Sequence, residues 1–145
     1  MLEACAQAFA WTPLDLDAKQ VRGSDTNAMV ASYLSVEHRD CAELGCPVAA
    51  LAVDASRAGG EIAQAFAEGI EAYVSHFTQA VRSERSSARL KPPEAETQAL
   101  HMLSTMLGGL IIARATAQAR PQLSRKVLRT LREQLAGAAA APPSH

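Results

Sequence analysis

The sequence has no excess of charge and no cysteine framework, and we expect no secretion signal. Its 145 residues carry a net charge of −1, so no general electrostatic attraction to nucleic acid or anionic lipid is expected. Cys5, Cys41 and Cys46 form neither a Cys-x-x-Cys pair nor an even set, which favours reduced thiols in a cytoplasmic setting. The apolar stretch 107–113 is too short to cross a bilayer. We therefore expect a cytoplasmic protein without a membrane partner.

Alanine and other helix-favouring residues are what the sequence has in abundance. Hydrophobic residues make up 48% of the chain and charged residues 20%, with few β-branched runs. A chain of this length suggests one domain that can bury a real core. We predict an all-α fold, an antiparallel bundle of about five to six helices.

Apolar spacing and helix-start signals predict where these helices lie. The predicted helices span 26–34, 47–58, 61–82, 93–116 and 122–135. We expect residues 1–24 to form a short helix and a loop, residues 25–136 to form the helical domain, and residues 137–145 to be a disordered tail. A polar link is expected over 35–45 and a mobile connection over 82–93.

The helix over 61–82 has the clearest amphipathic pattern. Its apolar stripe, at three- and four-residue steps, consists of Ile62, Phe66, Ile70, Tyr73, Val74, Phe77 and Val81. The helix over 93–116 is expected to be largely buried. The last helix also carries a basic face, formed by Arg125, Lys126, Arg129 and Arg132. No aromatic residue interleaves with this basic face, so a solvated surface or charge pairing between subunits is favoured over nucleic-acid binding.

Metal chemistry is only weakly indicated. Ferritin-like sites need Glu-x-x-His pairs, and no glutamate stands three residues before His38, His76 or His101. The neighbouring residues Glu37, His38, Asp40 and Cys41 could supply a His-x-x-Cys pair to zinc, but two further ligands would be needed. We predict no metal and no cofactor. Instead, His38, Arg39 and Asp40 are expected to fasten a helix-helix corner by capping and charge pairing.

Catalysis is no better supported. Cys46 precedes Pro47 at a predicted helix start, where a thiol pKa is lowered and the thiol could act as a nucleophile. Because no base or oxyanion donor is identified, a buried packing cysteine is favoured, and no catalytic residue is predicted. His76 and His101 could orient a ligand in an apolar cavity, but a core or interface histidine bonded to a carbonyl is favoured for each.

The adjacent glycines Gly108 and Gly109 lie inside an apolar helix. Each glycine costs about 1 kcal/mol relative to alanine in such a helix. We therefore expect a neighbouring helix or a partner subunit to approach this backbone closely.

Several short motifs carry a resemblance to a known family. Tyr-Leu-Ser at 33–35, His-Arg-Asp at 38–40 and Gly-Cys-Pro at 45–47 lead into an Ala-rich helix, and 64–80 and GGLIIARA at 108–115 extend the similarity. This succession resembles the ligand-binding C-terminal domain of tetracycline-repressor-like (TetR family) transcriptional regulators, from about Asp25 to Leu135. The resemblance implies a domain that binds an inducer and dimerises through its last two long helices.

The resemblance also implies that a helix-turn-helix domain precedes this domain in the family. No recognition helix is readable in residues 1–24, so we expect DNA to be contacted only through a helix-turn-helix domain not visible in this chain.

We thus expect a non-enzymatic homodimer that binds a small apolar effector between the helices at 47–58, 61–82 and 97–116. The expected ligand-binding residues are Leu51, Phe66, Ile70, Tyr73, His76, Phe77, Met102 and Met106. The expected dimer-interface residues are Leu103, Leu107, Gly108, Leu110, Ile111, Val127, Leu128 and Leu131. The alternatives are a helical dimerisation module without a ligand and a small enzyme that uses Cys46 or His38.

Overall fold

A computed structural model describes residues 26–41, 46–83 and 90–140. Within these ranges the chain forms six helices and no strand. They are α1 (Thr26–Tyr33), α2 (Val36–Asp40), α3 (Pro47–Ala58), α4 (Gly60–Ser83), α5 (Pro92–Thr116) and α6 (Pro121–Ala140). The predicted all-α fold is confirmed. The short helix and loop expected within 1–24 lie outside the described residues.

The helix boundaries follow from local backbone chemistry. Pro47 begins α3, where a missing N–H costs nothing, and Gly59 ends this helix with a φ of 61°, a conformation that favours glycine. At the start of α5 the backbone N–H of Lys91 donates to the Glu94 carboxylate at 2.9 Å. This bond satisfies a donor that the helix itself leaves unpaired.

Two boundaries differ from the predictions. The link at 35–45 contains the short helix α2, because the Ser35 side chain accepts the backbone N–H of His38 at 3.0 Å and caps one helical turn. The last helix continues to Ala140 instead of ending near Leu135, so residues 137–140 are helical rather than disordered. The alanines at 138–140 have the highest helix propensity of any residue, which explains the extension.

Helix α5 is the central element of the fold. Helices α4 and α6 pack most extensively against it, while α1, α2 and α3 also contact it. The largest residues of the core are Val30, Leu34, Val48, Tyr73, Phe77, Val81, Met102, Leu103, Met106, Leu110, Leu128 and Leu135.

Helix α5 is less buried than its sequence predicts. Its inner face is in the core, but Leu100, Ile111 and Ile112 are exposed. By length and composition this helix could cross a membrane. That is weak evidence for a membrane span, because the core helix of a bundle passes the same test. From the sequence, only the shorter apolar stretch 107–113 was considered as a span.

The two glycines of α5 have different surroundings. A Cβ atom on Gly109 would lie 2.6 Å from Leu131 Cδ1 and 3.3 Å from Leu34 Cδ2, whereas a Cβ on Gly108 would meet nothing within 4 Å. The close approach predicted for this pair therefore occurs at Gly109, where α6 and α1 of the same chain meet the α5 backbone. Gly108 faces open space.

Candidate functional site

A polar network occupies the corner formed by α2. The imidazole Nδ1 of His38 lies 2.8 Å from the carbonyl oxygen of Tyr33, and its Nε2 lies 3.2 Å from the backbone nitrogen of Cys46. Since a carbonyl only accepts and a backbone N–H only donates, Nδ1 carries the proton and Nε2 accepts. His38 therefore joins the end of α1 to the start of α3 as a neutral ring. Burial lowers its pKa below the ordinary histidine value, and the nearby Arg114 lowers this pKa further.

Two arginines tie α2 to the last two helices. The guanidinium of Arg114 on α5 donates to the carbonyl oxygens of His38, at 2.9 Å, and of Arg39, at 3.2 Å. Arg39 donates to the Ser124 hydroxyl at 2.9 Å and pairs with Asp40 at 2.7 Å. The capping and charge pairing predicted for residues 38–40 are thus confirmed.

Ser124 carries the corner network into α6. It is fully buried, and its hydroxyl donates to the carbonyl oxygen of Ala113 at 2.7 Å. Sequence reasoning did not identify Ser124 or Arg114. The sequence offered one signal, Arg114 itself, which is the first charged residue after residues 97–113, a stretch without Asp, Glu, Lys or Arg.

A second polar group lies inside the apolar core. The hydroxyls of Tyr33 on α1 and Tyr73 on α4 are both buried, and the Cys46 thiol lies beside the Tyr33 hydroxyl. The Tyr33 ring meets the imidazole of His38 edge-on, with the ring centroids 4.6 Å apart. Burial raises the pKa of the Tyr33 hydroxyl well above its usual value, and Cys46 raises it further. Tyr33 begins the Tyr-Leu-Ser motif, but it was not among the expected ligand-binding residues.

Most of the expected ligand-binding residues come together in the structure. Tyr73, Phe77, Met102 and Met106 are buried in one cluster. Phe66 and Ile70 are half-buried and pack against this cluster, and Leu51 is half-buried on α3.

The two histidines considered for a ligand-orienting role lie elsewhere. His76 is exposed, so its selection as a ligand-lining residue is corrected: Tyr73 and Phe77 occupy the inward positions of α4, and His76 lies next to them on the outer side. Its ring meets that of Phe77 edge-on, with the centroids 6.2 Å apart. His101 is also exposed, so neither residue is a core histidine.

The expected dimer residues fall into two groups. Leu103, Leu110 and Leu128 are buried in the core of the chain itself, so their selection as interface residues is corrected. They share α5 and α6 with apolar residues that remain on the surface. Leu107, Gly108, Val127 and Leu131 are half-buried, and Ile111 is exposed.

The exposed apolar residues of the last two helices define a surface that we call the outer face. Leu100, Ile111, Ile112 and Leu123 are between 44% and 50% exposed. Leu100, Leu107 and Ile111 follow one another at steps of seven and four residues, which places them on one side of α5. Ser124 on α6 is hydrogen-bonded to Ala113 on α5. Leu123 and Ile112 are the residues directly before this pair, so the exposed apolar surface continues from α5 onto α6 near the turn. The outer face comprises Leu100, Leu107, Gly108, Ile111, Ile112, Leu123 and Val127.

The remaining candidates have simple surroundings. Cys46 is buried in the core, as predicted for a packing cysteine, whereas Cys41 is exposed. Arg125, Lys126, Arg129 and Arg132 are all exposed on α6. Among the described residues, no three His, Cys, Asp or Glu side chains come close enough together to hold a metal ion.

These features define an all-α bundle with an aromatic and methionine interior and a two-helix apolar surface. Residues 25–136 match the model of the family described as tetracyclin repressor-like, C-terminal domain. Because this match covers more than half of the chain, the protein belongs to that family. No curated protein and no solved structure gave a significant match.

Proposed function

We propose that residues 25–136 form the effector-binding and dimerisation domain of a TetR-like transcriptional regulator. The observation that carries this proposal, beside the family match, is the division of α5 into an inner face and an apolar outer face. The domain acts without catalysis, in the cytoplasm, and DNA is contacted only through a helix-turn-helix domain. No membrane partner is involved.

Dimerisation uses the outer face. In a two-fold homodimer the same surface of each copy packs against its symmetry mate, so α5 and α6 of two copies form a four-helix interface. Gly108 supports this arrangement, because the space beside its backbone is open and a partner helix can approach closely. A stable interface of this kind buries more than about 1,000 Å² in total and has an apolar centre.

Effector binding uses the cluster between α3, α4 and α5. A small apolar molecule contacts Leu51, Phe66, Ile70, Tyr73, Phe77, Met102 and Met106. Phe66 and Ile70 are already half-buried at this position, and methionine side chains adapt readily to a ligand. An effector that binds one arrangement of these helices more tightly than another shifts the population toward the first arrangement. This shift is how an effector controls an attached DNA-binding domain.

Sedimentation of outer-face variants tests the dimer. We expect the wild-type chain to sediment as a dimer and the double variant Leu100→Glu, Ile111→Glu to sediment as a folded monomer, because two like charges would face their symmetry mates. Val53→Glu on α3 is the matched control, since Val53 is 60% exposed and lies outside the outer face. A monomeric wild type, or a dimeric double variant, contradicts the proposal.

The cysteine-dependent enzyme is tested by alkylation. We expect iodoacetamide to modify the exposed Cys41 in the native protein at neutral pH and to leave the buried Cys46 unmodified. Peptide mapping distinguishes the two sites. Rapid modification of Cys46 would favour the enzyme.

A further inference from the structure

The hydroxyl of Tyr33 is an unusual group in the core of this domain. It is shielded from solvent and makes no hydrogen bond of standard geometry within the described residues. Nearly all buried polar side-chain atoms in proteins have a hydrogen-bond partner, so a buried hydroxyl without one calls for an explanation. The Cys46 thiol is in hydrogen-bonding contact with it, but a thiol is only a weak donor and acceptor, so the hydroxyl lacks a strong partner.

The position of this hydroxyl connects it to the proposed effector cluster. Tyr33 packs against the core, and its hydroxyl lies within electrostatic range of Tyr73 on α4. Tyr73 belongs to the same stripe as Phe77, Phe66 and Ile70. The Tyr33 hydroxyl and this stripe thus belong to the same buried region of the domain.

The surroundings select the chemistry of the group that would bind there. A tyrosine hydroxyl at neutral pH is protonated and can donate one hydrogen bond. Arg114, the nearby cation, already donates to the carbonyl oxygens of His38 and Arg39. A carboxylate would have to lose its hydration while the nearby Arg114 is already engaged, whereas a neutral acceptor loses much less.

We propose that Tyr33 is the polar anchor of the effector site, and that the effector is an uncharged, largely aromatic or aliphatic molecule with one carbonyl-type hydrogen-bond acceptor. This inference rests on the proposed effector binding at α3, α4 and α5. The Tyr33 hydroxyl donates to the acceptor, while the apolar body of the effector packs against Tyr73, Phe77 and Met106.

Two naphthalene probes of equal shape test the anchor. 2-Acetylnaphthalene carries a carbonyl oxygen, and 2-isopropenylnaphthalene has a CH₂ group in its place. Calorimetric titration of the wild-type protein is expected to give a Kd for the acetyl probe about threefold to tenfold lower than for the isopropenyl probe, the range for one neutral hydrogen bond. In Tyr33→Phe this preference should disappear, with the Kd for the isopropenyl probe unchanged.

The outcomes separate the anchor from effector binding itself. If both probes bind equally well to the wild type, or if the preference persists in Tyr33→Phe, the anchor is wrong and effector binding stands. If the preference is lost only in the matched variant Tyr73→Phe, the anchor is assigned to the wrong tyrosine and the proposal fails. If neither probe binds to the wild type, both proposals are overturned.

Thermal unfolding gives a second measurement that does not depend on a ligand. A hydroxyl whose contact is a weak thiol adds little to the stability of the free protein, so Tyr33→Phe should unfold at nearly the same Tm as the wild type or at a higher one. A clear decrease in Tm would show that the hydroxyl has a strong partner in the free protein, and this would overturn the anchor.

Discussion

Helices α4 and α5 have nearly equal lengths, but they distribute their apolar residues differently. On α4 the apolar residues form one stripe, and the glutamates at 61, 68 and 71 lie on the exposed side. On α5 no Asp, Glu, Lys or Arg occurs between Glu96 and Arg114, and apolar residues lie on both the inner and the outer side. A helix with one apolar stripe has one way to face the core, whereas a helix with apolar residues on two sides needs a second surface to cover it. The comparison therefore supports a partner for α5 but none for α4.

The largest expected effect separates two adjacent residues of α5. Leu110→Glu would place an unpaired charge in the core and is expected to destabilise the fold by more than about 3 kcal/mol. Ile111→Glu lies on the outer face, so the chain should stay folded while its dimer weakens. Urea unfolding and sedimentation measure the two effects. Similar stabilities of the two variants would show that the inner and outer faces are not distinct.

A second test examines the stripe of α4. Phe77 is fully buried, and Phe77→Ala is expected to lower the free energy of unfolding by about 3–5 kcal/mol. Phe66 is only half-buried, so Phe66→Ala should produce a clearly smaller loss. Urea denaturation of both variants measures the difference. A loss below about 1 kcal/mol at Phe77 would contradict its place in the core.

The glycine pair gives a smaller and more local comparison. Gly109→Ala is expected to destabilise the domain by about 1–3 kcal/mol, because Leu131 must move away from the new methyl group. Gly108→Ala should stabilise it by about 0.5–1 kcal/mol through helix propensity. Both changes are best measured by urea unfolding in the Leu100→Glu, Ile111→Glu background, where the proposed dimer should not contribute. Equal effects would contradict the assignment of the two glycines to opposite environments.

The smallest expected effect on stability concerns the polar network at α2, to which Arg114 at the end of α5 is hydrogen-bonded. The pKa of His38 is lowered in the folded state, so the unfolded chain takes up a proton first as the pH falls. Stability from this residue is fully present above the unfolded pKa of about 6.5 and is lost as the pH falls below it toward the folded pKa. Urea unfolding at pH 7.5 and at pH 5.5 should show this loss in the wild type and in His76→Gln, a control at an exposed histidine. His38→Gln should show less pH dependence; an unchanged dependence would contradict the role of His38.

The sequence predicted the fold well because helix signals are local. Pro47 and Gly59 mark the limits of α3, and the stripe from Phe66 to Val81 orients α4 without knowledge of any other helix. The corner at residues 38–40 was also anticipated, because His38, Arg39 and Asp40 are neighbouring residues that can cap and pair. The short helix α2 was missed because a single capped turn has no apolar period.

The candidate site was harder to predict because it depends on contacts between distant parts of the chain. Apolar spacing cannot distinguish Leu110 from Ile111 within the uniformly apolar stretch 106–113, so the expected interface mixed core and surface leucines. His76 was placed beside the effector although it is one residue away from the inward position at Phe77. The bonds from Arg114 to α2 join residues about 75 positions apart, which no local pattern reveals.

The His38 ring has a mechanical consequence for the two helices that it joins. A neutral imidazole holds its donor and its acceptor at two separate positions in the plane of a rigid ring, so it acts as a spacer of fixed length between the Tyr33 carbonyl and the Cys46 N–H. The flexible side chains of Asn and Gln carry both groups at one end and cannot reproduce this span. A displacement of the end of α1 relative to the start of α3 must therefore break one of two hydrogen bonds. While both bonds hold, the end of α1 and the start of α3 move as one body.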